Sequence, residues 1–297
     1  MAVGMAVFGA LGIALISAAL YPPVRPWLRD RHPARRVEIL TGWLVFPASL
    51  AVTLCAVGLC RGDVVTLGPV LWMGLASLVL LAAASILWTG WRILRIRTTL
   101  RALVGTARHD GVLGVDVVES PYPFSFATAV AGGRVVLSSA LCAGTSPEIL
   151  AIVLRHERAH LTQRHPQLRL IGALLSVAHL PAVRRRLMED LALACEEVCD
   201  ELSVGDDRDR AAVATALLGV ARRYRGRPLP SALPMMAFHG SHLQDRVESL
   251  LATYPAFPPR PAGSCWRWAS ARGALNLVFW AWSFWQVGVT SLRLVAE

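Results

Sequence analysis

Apolar positions run in long unbroken blocks toward both ends of the chain and in short periodic groups through its middle. Four blocks, Ala2–Val24, Ile39–Cys60, Val64–Trp91 and Gly273–Leu292, carry no charge. Each is long enough to cross a bilayer, which takes about 20 residues of helix. Nothing basic precedes the first block and no small-residue cleavage site with a polar start follows it, so it reads as an anchor rather than a cleaved leader. Leu170–Val183 is uncharged but too short to span, and suits a buried or membrane-abutting helix.

Between the blocks the periods change. Gly111–Glu119 is rich in Val, and Phe124–Val130, Gly132-Gly133 and Arg134–Ser139 together read as a hairpin closed by a glycine turn. Thr145-Ser-Pro-Glu148 opens a helix, with a hydroxyl cap, an early proline and Glu at the capping-box position, running to about Gln163. Further helices are expected over about Arg184–Val204, Arg210–Tyr224 and Ser241–Leu251, with a loop at Pro228–Pro234 and a Pro-rich linker at Pro255–Pro261. The fold class is a mainly α membrane protein, with about four transmembrane helices and an α+β domain built on a small sheet.

Composition agrees. The 297 residues are 55% hydrophobic and 17% charged, with mean hydropathy +0.49. A disordered or collagen-like chain is excluded. All ten Trp lie in or near the apolar blocks, and none between residues 98 and 265, as expected of rings that prefer the membrane interface. Net charge is +10 and every basic residue is Arg. Arg25, Arg29, Arg31, Arg35 and Arg36 crowd the first connection, Arg61 stands alone in the second, and Arg92, Arg95, Arg97 and Arg101 follow the third block. The positive-inside rule then divides the chain into a membrane region 1–91 with three helices, a cytoplasmic domain 92–272, and a last transmembrane helix in 273–297, with both termini outside. The expected location is the cell membrane, multi-pass. No nucleic-acid motif accompanies the Arg, so nucleic acid is not an expected partner. The six Cys form no regular framework and fit a reducing compartment.

His156-Glu157-Arg158-Ala159-His160 places two imidazoles at i and i+4 on one helix face, where both can meet one metal. Two neutral imidazoles suit zinc, and Glu157 beside them can take a proton from water. A catalytic zinc takes a third protein ligand. Glu196-Glu197-Val-Cys199-Asp200-Glu201 offers carboxylates in two i, i+4 pairs, and spacing does not choose between them. Cys195 and Cys199, one turn apart, leave a thiolate site as the competing reading. His165 and His179 read as core or surface residues.

Pro121–Phe126, Gly133–Ser138, the stretch Glu148–His160 and Glu196–Glu201 resemble, in that order, the BlaR/MecR-type membrane metallopeptidases, gluzincins more distantly related to the HtpX and CAAX-prenyl-protease families. The resemblance implies one zinc held by His156, His160 and Glu196, with Glu157 as general base and Asp200 behind a ligand. It also implies a small sheet whose edge strand, matched to Arg134–Ser138, holds an extended substrate. His239, His242 and Arg246 are candidates to stabilise the oxyanion. No penicillin-binding sensor domain is expected, since the chain ends five residues past the fourth block. The function implied is a membrane-anchored zinc endopeptidase acting on a protein or peptide in the cytoplasm, in regulatory proteolysis such as cleavage of a transcriptional repressor. Membrane-protein quality control, or a catalytically silent adaptor keeping the zinc fold, are the alternatives.

Overall fold

The structure, a computed structural model, describes residues 2–45, 69–129, 132–204, 209–224 and 242–252. Two long helices come first, α1 (Ala2–Arg29) and, after residues 33–45 (α2), α3 (Pro69–Gly105). α1 continues through Pro22, Pro23 and Pro26, past the expected end at Val24. α3 runs for 37 residues straight through the expected boundary at Trp91 into the domain. Among the described residues no helix is long and apolar enough to cross a membrane. Of the expected spans, Gly273–Leu292 and all of Ile39–Cys60 beyond residue 45 lie outside the described residues, as do the loop Pro228–Pro234 and the linker Pro255–Pro261.

The domain begins with a four-stranded sheet: β1 (Arg108–Asp110), β2 (Val115–Val118), β3 (Ser125–Thr128) and β4 (Arg134–Ser138), in the order β1-β2-β4-β3. The glycine-turn hairpin is present: β3 and β4 pair antiparallel, and Gly132 and Gly133 have φ of 89° and 87°, a region that glycine enters at no steric cost. The Val-rich segment is strand only from Val115, because residues 111–114 turn, with Gly114 at φ 63°. One expectation is overturned. β4 is not an edge strand: it is hydrogen-bonded to β2 on one side and β3 on the other, and β3 is the edge. Its near-continuous apolar run, Val135-Val136-Leu137, is what a strand covered on both faces requires.

Alternation along the strands sorts their side chains into two cores. Val115, Val117, Val135 and Leu137 pack with Val153 and Leu154 of α5 (Pro147–Thr162) and Val213, Leu217 and Val220 of α8 (Arg210–Tyr224). Val118, Phe126 and Val136 point the other way, with Phe124, onto Leu100 and Ile96 of α3. The sheet is therefore held between α3 and α5. A short α4 (Ser139–Gly144), capped by Ser138, links β4 to α5.

A third core joins the chain's start to its middle. Tyr21, Leu28, Val37, Leu40 and Leu44 pack on Leu168 of α6 (His165–Leu175) and on Val183, Leu187 and Leu191 of α7 (Pro181–Ser203). Gly172 permits this approach, since a Cβ there would stand 3.3 Å from Leu44 and 3.4 Å from Leu191. The expected helix over Leu170–Val183 is interrupted: α6 ends at Leu175, Ser176–Ala178 forms one 3-10 turn, and Pro181 starts α7. Proline fits a first helical turn and clashes in a helix interior. α9 (Leu243–Leu251) closes the described fold against α7 and α8.

Several basic residues of the first connection serve this core. Arg25 donates to both oxygens of Asp190 at 2.7 and 2.9 Å, Tyr21 donates to Asp190 at 2.6 Å, and Arg36 pairs with the buried Glu197 at 2.6 Å. The Arg36–Glu197 pair is almost wholly enclosed. Removing one partner strands the other charge, a change that typically costs about 3–5 kcal/mol. Arg36→Ala is therefore expected to lower the unfolding free energy by about that much, and denaturant unfolding measures it. A loss no larger than that of an exposed control such as Arg185→Ala would mean that the pair contributes little.

Candidate metal centre

α5 starts at Ser146, whose hydroxyl accepts from the Ile149 amide at 3.4 Å, with Pro147 at the first helical position. The cap is one residue later than the expected Thr145, so Glu148 stands in the first turn but not at the capping-box position. Downstream, one face of α5 packs Val153 and Leu154 on the sheet, while His156, Glu157 and His160 are buried despite their polarity. Such groups need partners inside the fold.

The partners come from α7. The Nε2 atoms of His156 and His160 lie 3.1 Å apart, Glu196 Oε2 is 3.3 Å from the first and Glu196 Oε1 3.5 Å from the second. Behind His156, its Nδ1 lies 2.9 Å from Asp200 Oδ1. With the Nδ1 proton given to Asp200, Nε2 is left as a lone pair directed at the Glu196 side. Two lone pairs and a carboxylate at these separations fit one ion about 2.0–2.2 Å from each. The donor set therefore fits zinc, and it is the trio expected: His156, His160 and Glu196. Glu197, its neighbour, faces Arg36 instead.

Asp200 is fully buried and is held from a third helix. Arg246 on α9 donates to its two oxygens at 2.7 and 2.6 Å, and also lies 3.4 Å from Glu196 Oε2. Burial resists ionisation of Asp200, but Arg246 and His156 outweigh it and hold its pKa below the ordinary value. Burial likewise opposes a charged Glu196, and the two histidines with Arg246 reverse the balance, holding its pKa well down. Burial disfavours imidazolium at His156, yet hydrogen bonds to Asp200 and Glu196 dominate and raise its pKa to about 9.

Glu157 is held by a residue that the sequence reading missed. Ser125 on the edge strand donates to Glu157 Oε1 at 2.7 Å. The signal was available in the alternation of β3: Phe126 faces α3, so Ser125 and Ala127 face α5. Between the edge strand, α3, α5 and α6 lies a cleft of about 320 Å³, lined by Glu157, His160 and Glu196 together with Ile93, Ile96, Arg97, Leu100, Ala127, Leu170 and Arg169.

His165, read from the sequence as a core or surface residue, is a core residue. It is buried, with Nδ1 3.2 Å from His160 Nδ1 and 3.3 Å from Cys199 Sγ. His160, His165 and Cys199 thus form another group of metal-capable atoms, using the opposite nitrogen of His160. Burial, with His160 nearby, keeps the pKa of His165 well below its ordinary value. His179 is buried elsewhere, 3.0 Å from Ser17 Oγ. Of the oxyanion candidates, Arg246 has its guanidinium on Asp200 and Glu196, His242 lies 3.1 Å from Asp245 at the start of α9, and His239 is outside the described residues.

The raised pKa of His156 sets a pH dependence. Without metal, imidazolium stabilises the fold fully below pH 6.5, its ordinary value, and that contribution is lost as pH climbs through about 9. A metal must displace this proton, so apparent zinc affinity is expected to rise about tenfold per pH unit up to about 9. Chelator competition at several pH values tests this, and a flat profile from neutral pH to 9 would contradict the assignment of His156.

Residues 95–222, from the end of α3 through α8, match Peptidase family M48. Searches of curated proteins and of solved structures found no match. The matched segment contains the edge strand, α5 and α7 with all three candidate ligands, so over those residues the chain is similar to that metallopeptidase family.

Proposed function

We propose that this chain is a membrane-anchored zinc endopeptidase that cleaves peptide bonds on the cytoplasmic side of the cell membrane. The observation that carries the reading is the convergence of the His156, His160 and Glu196 trio beside a cleft lined by His160, Glu196 and a Glu157 held by the edge strand. His156, His160 and Glu196 would hold zinc, which acidifies water and polarises a carbonyl when bound. The protein's own share of the chemistry falls to Glu157. Its Oε1 is fixed by Ser125, which leaves Oε2 to accept a proton and pass it to the departing amine. An extended peptide can add to the free edge of β3, with main-chain bonds giving affinity and alternate side chains entering the cleft. The cleft walls suit an apolar side chain near the cut, and Arg97 and Arg169 suit a nearby carboxylate.

Anchoring is supported by the charge-free blocks and by apolar side chains left exposed on the long helices: Leu15, Ile16 and Leu20 on α1, and Leu80, Leu87, Trp88 and Trp91 on α3. The Arg asymmetry supports a cytoplasmic domain with both termini outside. A reporter active only in the cytoplasm is expected to work when fused after Arg227 and to fail when fused after Glu297; the reverse pattern would overturn this orientation.

A regulatory role, with a repressor-like protein as substrate, follows the resemblance to the BlaR/MecR-type enzymes and is preferred over quality control on that ground. A silent adaptor is disfavoured by Ser125, since a scaffold has no use for a hydrogen-bonded base beside the ligand set. Glu157→Gln keeps size and removes the base. It is expected to retain zinc while slowing cleavage of a casein-type substrate by about 10²–10⁴-fold, the usual worth of a positioned acid–base group. Equal rates in parent and variant would mean that Glu157 is not the base.

A further inference from the structure

His165 lies outside the His-Glu-x-x-His motif and has no role in the chemistry above, yet it is buried against a candidate ligand. Its place comes from an unusual backbone. α5 ends at Thr162, Gln163 follows, and Arg164 takes φ 56° and ψ 33°, the left-handed region that a non-glycine residue seldom enters. Pro166 then commits the chain to a new helix beginning at His165. On an unbroken helix, five residues of advance would turn His165 about 140° away from His160, at about 100° per residue. The reversal at Arg164 brings it back, Nδ1 to Nδ1, at 3.2 Å.

Proton counting gives the contact a direction. If His160 presents Nε2 to the metal, its only ring proton is on Nδ1. The atom facing that proton is His165 Nδ1, which must then be a lone pair, with the proton of His165 on Nε2. His165 Nε2 is buried without a hydrogen-bond partner among the described residues, so nothing there favours the opposite tautomer. Cys199 Sγ also approaches His165 Nδ1, at 3.3 Å, but a thiol is the weaker donor and a single lone pair serves one of them well. His156 has the same arrangement on the other ligand, with Asp200 as its acceptor.

We propose that His165 is a positioning residue for the metal site: it accepts the Nδ1 proton of His160 and so holds that imidazole in the tautomer and orientation that direct Nε2 at the metal. The proposal rests on the metallopeptidase reading. It assigns the two ligand histidines different partners, a carboxylate for His156 and a neutral imidazole for His160. It also leaves Cys199 as a bystander thiol rather than a ligand.

The test uses the full-length chain in detergent, with zinc affinity read by chelator competition and folding by thermal unfolding. Loss of such a partner usually weakens metal binding about 10–100-fold. His165→Leu is expected to show a loss of that size, and His165→Asn, whose Oδ1 stands where Nδ1 was, to recover most of it. Cys199→Ala is expected to bind zinc like the parent. In zinc-loaded protein with 15N-labelled histidine, the His160 Nδ1 proton is expected to exchange slowly and to show coupling across the hydrogen bond to His165 Nδ1. That measurement decides the matter should His165→Leu not fold. The proposal is overturned if folded His165→Leu binds zinc like the parent or if no such proton is found. It is also overturned if the cobalt-loaded parent shows a thiolate charge-transfer band that Cys199→Ala removes, since the metal then sits on the Nδ1 side. A parent that binds no zinc at all sinks the metallopeptidase reading and this proposal together. Tight binding by parent and His165→Leu alike sinks this proposal alone.

Discussion

Asp200 is the group on which the rest of the centre depends. It is a carboxylate with no exposure to water, and it accepts from His156 on α5 and from Arg246 on α9 while belonging to α7. An isolated carboxylate buried this deeply would take up a proton rather than stay charged. Arg246 prevents that with two short bonds in the fork geometry that suits a guanidinium. Once charged, Asp200 decides which nitrogen of His156 keeps the proton, and so which lone pair faces Glu196. Three helices are thereby pinned at one point, and the pinning is itself the chemistry of the ligand. This explains why Arg246, 46 residues downstream, belongs to the site without lining the cleft.

The second constraint is the two-residue period of the edge strand. β3 must bury Phe126 against α3 to close that core, and this turns Ser125 toward α5. Glu157 is thus positioned by the same alternation that packs the sheet. Because β3 and not β4 forms the edge, the strand open to an extended peptide is also the one that holds Glu157. A substrate laid along β3 would therefore lie within a side chain's reach of the base, with no separate loop needed to bring them together.

Much of this was legible in the sequence. The His156–His160 face, the acidic helix carrying Glu196 and Asp200 and the glycine-turned hairpin all follow local rules, and the structure has them. The contacts that were missed share a different property. Ser125 acts across 32 positions, through a strand whose edge position depends on sheet order, and sheet order is not local. Arg36 finds Glu197 only because α2 packs on α7. His165 is close in sequence to His160, but helical periodicity points it away; only the left-handed Arg164 reverses that. Thr145 and Ser146 both offer a capping hydroxyl, and the choice falls to Ser146 because Pro147 is then at the first helical position.

The faces of α7 connect these points to the chain's beginning. One face presents Glu196 and Asp200 to α5, whereas Asp190 and Glu197 turn to Tyr21, Arg25 and Arg36 of the N-terminal helices. Glu196 and Glu197 are adjacent, so the residue that would hold metal and the residue clamped by Arg36 share one peptide unit. A helix is stiff over such a distance, and a core this closely packed transmits displacement rather than absorbing it. Movement of α1 and α2 against α7 would therefore reach the ligand set directly. Arg25 and Arg36, which read from sequence as membrane-flanking charge, bind the N-terminal helices to the helix that carries Glu196. The basic excess of the first connection thus has two physical roles: part is left for the solvent side, and part neutralises carboxylates that α7 could not otherwise bury.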